Sequence, residues 1–94
     1  MLPPPPMKGE RIMEKMIICT MKEMERNLQA FKTCRASNLL AVKNEGEFSY
    51  VIYSYATPIC KVTLHGSVQW FDSRYYSPTT SRHQNIIRRA FNIK

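Results

Sequence analysis

The period of the apolar residues changes twice along this chain, and those changes constrain its fold more than any single motif. Ile17, Met21, Met24, Leu28 and Phe31 recur at spacings of 4, 3, 4 and 3, one stripe of an α-helix. Met13 extends the stripe by a turn, so the spacing predicts a helix from about Glu10 to Phe31. The middle then alternates with period two. Glu47 to Tyr55 reads EFSYVIYSY, rich in aromatic and β-branched residues, with Phe48, Tyr50, Ile52 and Ser54 on one face. Leu39 to Val42, Ile59 to Leu64 and Val68 to Phe71 add three short strands, separated by Asn44-Glu45-Gly46, Thr57-Pro58 and His65-Gly66. Pro58 is expected to break the ladder because it has no N–H. The end is helical again: Ile86, Ile87, Ala90 and Phe91 form an apolar side after a segment dense in capping residues, where Ser81 with Gln84 fits a capping box and Thr80 is an equal candidate for the cap. The predicted fold is α+β: an N-terminal helix, a three- to four-stranded antiparallel sheet and a C-terminal basic helix, with both helices on one sheet face.

A chain of 94 residues holds one domain. The prolines at 3–6 favour an extended or disordered tail over residues 1–9, leaving 10–94 as a single small domain. No apolar run approaches the roughly 18 residues of a membrane span, and the start lacks the apolar core of a secretory signal. The net charge is +7, and residues 73–94 carry Arg74, Arg82, Arg88, Arg89 and Lys94 with no acid. Such a segment attracts phosphate or an acidic protein face.

Catalytic readings find little support. Cys19, Cys34 and Cys60 form an odd set without CxxC spacing, so they read as reduced packing thiols and not as zinc ligands. No Gly-rich phosphate loop or carboxylate pair stands out. The expectation is a protein that is not an enzyme and carries no metal or cofactor.

The densest candidate segment is residues 70–85, WFDSRYYSPTTSRHQN. A helix start there offers free N–H groups to an anion, with Thr79, Thr80 and Ser81 as hydroxyl donors. Arg82 and His83 fall in the predicted first turn, where positive charge is unfavourable unless an anion or acidic partner compensates. Arg74, Arg82, Arg88 and Arg89 are the candidate cations, Arg82 and Arg89 sharing a helix face. Aromatic residues on the strands could stack single-stranded bases, although Tyr50 and Trp70 read first as core. The face of Met13, Ile17, Met21 and Met24 is either core or a seam for a partner or a second copy.

Ser54-Tyr55-Ala56-Thr57-Pro58-Ile59, then Trp70 and Phe71, then the stretch from Tyr75 to Phe91 give a likeness over residues 50–91. They resemble small proteins of bacteriophages and prophages carrying Ser-Tyr-x-Thr-x-Ile, a short variable hairpin, and Tyr-Ser-x-Thr-Thr-Ser-x-His. Thr79, Thr80, Ser81 and His83 match its second half. The resemblance implies a phage or mobile-element origin, action in a bacterial host cytoplasm, and work done by binding. Two functions are carried forward. One is contact with nucleic acid or a host nucleoprotein through the basic C-terminal helix. The other is inhibition of a host defence protein, in the anti-CRISPR manner, through the Met-rich helix or the aromatic sheet face.

Overall fold

The computed structural model describes residues 16–94. The Pro-rich tail, Met13 and the start of the predicted first helix lie outside the described residues. Six strands and two helices follow in the order β1 (Ile17–Ile18), α1 (Met21–Gln29), β2 (Cys34–Ala36), β3 (Leu39–Asn44), β4 (Ser49–Ser54), β5 (Thr57–Thr63), β6 (Val68–Phe71) and α2 (Pro78–Phe91). Strand order in the sheet equals order in the chain. β1 pairs parallel with β2, and every other pairing is antiparallel. The sheet is therefore larger than the sequence suggested and mixed. No helix among the described residues is long and apolar enough to cross a membrane.

The helix predicted over 10–31 is corrected to a nine-residue helix. Ile17 and Ile18, β-branched, extend beside β2, with Ile17 N–H donating to the Thr33 carbonyl at 3.0 Å. Thr20 then caps α1. Its hydroxyl accepts from Glu23 N–H at 3.3 Å, and the Glu23 carboxylate accepts from Thr20 N–H at 2.9 Å. This reciprocal box fixes the start at Met21, and the Glu23 carboxyl is held below its ordinary pKa by those bonds. The helix ends at Gln29 with Ala30 as its cap, and the chain turns away at Phe31, whose φ of 54° is left-handed; Lys32 N–H reaches the Asn27 carbonyl and Phe31 N–H the Leu28 carbonyl, a Schellman closure.

Both helices lie on one face of the sheet, as expected. Met24 and Leu28 of α1 and Ile86 and Ile87 of α2 cover Cys34, Leu39, Ala41, Tyr50, Ile52, Cys60 and Val62. Met24 is thus committed to the core and leaves the proposed partner face; Met21 is half-buried and Ile17 is exposed on β1. Pro58 does not break the ladder. It pairs with Tyr53 at an end of β5 where β6 has not begun to pair, so one side of it needs no donor. The register shifts beside it, leaving Ile59 as an extra residue. That bulge lets Ile59 and Cys60, consecutive in sequence, both enter the core.

The cap of α2 also differs from the predicted one. Ser77, extended at φ −166°, accepts from Thr80 N–H at 3.1 Å through its hydroxyl, and Pro78 takes the first helical position, where its fixed φ suits the helix. Ser81 and Thr80 lie inside the helix. Ser77→Ala is therefore expected to cost about 1 kcal/mol, whereas Ser81→Ala should stay within about 0.5 kcal/mol. Urea unfolding of the two variants checks the order; equal costs would return the cap to Ser81.

Candidate functional site

Docking α2 against the end of β4 creates a buried polar cluster. Ser54 Oγ lies 2.7 Å from His83 Nδ1 and 3.1 Å from Thr80 Oγ1. Ser77 completes the chain, its hydroxyl donating to Thr80 Oγ1 at 3.3 Å. The Ser54 hydroxyl thus meets both Thr80 and Nδ1 of His83, with the donor on that last contact set by the imidazole tautomer. Only 1% of His83 is exposed, and burial pushes its pKa below the ordinary histidine value. Thr80 is buried as well. Both residues are thus withdrawn from the anion-binding role expected of them and join helix to sheet instead.

A pocket of about 210 Å³ opens beside this cluster, lined by Ser54, Tyr55, Thr57, Ile59, Tyr76, Ser77 and Thr80. All seven fall on the two halves of the pattern read from the sequence, which the fold brings together. One wall is the two-residue β4–β5 turn, where Tyr55 and Ala56 have φ of 52° and 68°. Two positive φ values are the pattern of a type I′ turn, which Asn-Gly fills without strain. The other wall is the loop from Asp72 to Ser77. Gln84 clamps it, Nε2 donating to the Asp72 and Arg74 carbonyls at 2.8 and 2.9 Å. Arg74 grips Asp72 with two bonds, and the Tyr76 hydroxyl donates to the same carboxylate. Those contacts, Arg74 first, hold the Asp72 carboxyl far below its usual range.

Ser54 and His83 stand at the separation of a nucleophile and its base. Ser54 is itself buried and also bonded to Thr80, and no described carboxylate hydrogen-bonds to His83. The Cys60 thiol is pushed up to about 12 by burial, away from reactivity at neutral pH. Among the described residues no group of three or more His, Cys, Asp or Glu could hold a metal ion.

The basic residues of the C-terminal segment do not form one row. Arg74 is bound to Asp72 and lies over the Tyr76 ring. Arg88 donates to the Lys94 carbonyl and lies over Phe71, 4.9 Å from the ring centre. Arg89 pairs with Glu25 of α1 at 2.9 Å. Arg82 sits in the second turn because α2 starts at Pro78, so the predicted clash with the helix dipole is absent. It lines a groove of about 490 Å³ between the helices with Met21, Lys22, Thr79, His83 and Arg89. Ser81 is half-buried on α2.

The opposite sheet face holds Tyr53 and Trp70, strand aromatics of the kind the sequence offers for base stacking, and adds Arg35 and Lys61, which it did not single out. Cross-strand pairing places Arg35, Leu40, Tyr53 and Pro58 in one row, and Val42, Val51, Lys61 and Trp70 in the next. Both rows lie opposite the face that the helices cover, and neither contains a carboxylate. Trp70 is 43% exposed there, not in the core, because Phe71 takes the inward place opposite Cys60. The alternation of EFSYVIYSY already set Val51 and Tyr53 on this face; the register that adds Lys61 and Trp70 has no local signal.

No curated protein and no solved structure matches the chain. One family model, described as a family of unknown function (DUF8033), matches residues 14–92, from before β1 to the end of α2, and the protein belongs to that family.

Proposed function

We propose that the chain is a small non-enzymatic binding protein that takes single-stranded nucleic acid, free or within a host nucleoprotein, on the open face of its sheet. The observation that carries this reading is the pair of rows holding Tyr53 and Trp70 beside Arg35 and Lys61 without an acid. Aromatic faces stack bases of any sequence, and flanking cations meet the phosphates. The charge of +7 favours the same partner. The basic helix contributes less than the sequence implied, because Arg74, Arg88 and Arg89 are engaged within the protein. The likeness of residues 50–91 to phage and prophage proteins supports a mobile-element origin and action in a host cytoplasm.

Trp70 is the only tryptophan, so its fluorescence reads stacking directly. Titration with a short oligonucleotide should quench it. Trp70→Ala should weaken binding by about 1–3 kcal/mol, and Lys61→Ala should reduce the salt slope by about one. Binding at low salt that is indifferent to Trp70 and Lys61 would remove this surface from consideration. The inter-helix groove favours a second reading. Lys22 and Arg82 at its rim suit an acidic protein face, such as that of a host defence protein. A partner captured after nuclease treatment and lost on Arg82→Glu would select it.

A further inference from the structure

The pocket between the β4–β5 turn and the start of α2 has a shape and lining that the sheet-face reading does not use. We propose that it holds a single nucleobase, presented by a free nucleotide or by a strand. Its volume of about 210 Å³ lies below the roughly 300 Å³ at which pockets for drug-sized ligands begin, which leaves room for one ring system. Two aromatic rings border it from separate segments, Tyr55 at 51% exposure and Tyr76 at 44%, and Ile59 lies buried at its base. Rings of that kind accept a planar ligand by stacking. The Tyr55 and Thr57 hydroxyls make no hydrogen bond to the described residues and are free to meet the polar edge of a base. The Tyr76 hydroxyl is tied to the Asp72 carboxylate and the Arg74 guanidinium, which fixes that ring at the wall.

Strain adds a separate observation. A tyrosine in the left-handed region carries backbone strain that asparagine or glycine would largely avoid. Tyr55 is held there with its ring on the pocket wall and 6.1 Å from the His83 ring. The opposite wall is preset by the Gln84 clamp, so the site needs little ordering to accept a ligand. The pocket stands on residues distinct from Tyr53, Lys61 and Trp70, so the two surfaces fail separately.

The test follows amide resonances of the full chain during titration with nucleoside monophosphates, an oligonucleotide, and the same oligonucleotide with one base removed. Free nucleotides should give saturable shifts at Tyr55, Thr57, Tyr76 and Ser77 in the millimolar range, unaffected by Trp70→Ala. Tyr55→Asn, which suits the left-handed backbone and deletes the ring, should weaken that binding at least tenfold while the remaining spectrum holds. If the base comes from a strand, the intact oligonucleotide should shift the same amides and the abasic one should bind several-fold more weakly. No shift at these residues with any nucleotide or strand would overturn the proposal. So would shifts seen only with peptides carrying an aromatic side chain, which would assign the pocket to a protein partner.

Discussion

Tyr50→Ala is expected to destabilise the protein by about 3–5 kcal/mol, the range for losing a fully buried aromatic side chain. Tyr50 is 0% exposed, the second residue of β4. Its ring meets Phe31 edge-on at 5.4 Å and Phe91 at 6.5 Å, so it joins the exits of both helices to the sheet. Its hydroxyl donates to the Lys32 carbonyl at 2.6 Å, just past the left-handed Phe31. Small domains have only about 5–15 kcal/mol in hand, so the variant should lose most of its margin. Tyr50→Phe separates the parts: it keeps the rings together and leaves one carbonyl unpaired, at about 1–3 kcal/mol. Urea unfolding followed by circular dichroism measures both. A cost below about 1 kcal/mol for Tyr50→Ala would mean that the core is centred elsewhere.

Stability should also fall as the solution is acidified through the histidine range, and His83 should be the reason. The folded protein holds His83 neutral, with a pKa lowered by burial, whereas the unfolded chain has the ordinary value of about 6.5. Unfolding therefore takes up a proton once the pH drops below that ordinary value. The stabilisation is complete above it and is lost progressively down toward the folded value. Asp72 acts in a separate window, since its depressed pKa contributes above the ordinary carboxylate range and fails only in strong acid. His83→Asn places an acceptor near the position of Nδ1 and removes the titration. Between pH 8 and pH 5 the wild type should lose stability and the variant should stay nearly flat. Parallel curves would show that His83 does not control the dependence.

Much of the fold was legible because its signals are local. Period two in EFSYVIYSY and its neighbours locates β3 to β6, and Ile86, Ile87 and Phe91 locate α2. The first helix misled because Ile17 happens to lie in phase with Met21 and Met24, although it belongs to a strand. Thr20 and Glu23, spaced as a capping box, were the available correction. Ser81 and Gln84 carry the same spacing without forming a box, since Pro78 starts the helix earlier and Gln84 turns to the 72–74 backbone. β1 and β2, with two and three residues, are too short to show a period. Within the candidate site, the hydroxyl-rich segment stood out, but its direction did not. Thr80 and His83 turn inward because Ser54, 26 and 29 residues earlier, waits at the end of β4. Trp70 turned outward for a comparable reason: a register shift between Lys61 and Val62 decides which residues of β6 face the helices.

Because strand order matches chain order, a ribosome can deliver this sheet from β2 onward hairpin by hairpin, each new strand finding its neighbour already in place. The inner face has no such luck. Ile86, Ile87 and His83 arrive only with the last helix, so a nascent chain that ends before Pro78 presents Ile52, Ile59 and Cys60 without their cover. Pauses or truncations there should yield species that bind apolar dyes and holding chaperones. A released chain that ends after Phe91 should not, since it carries the closing layer.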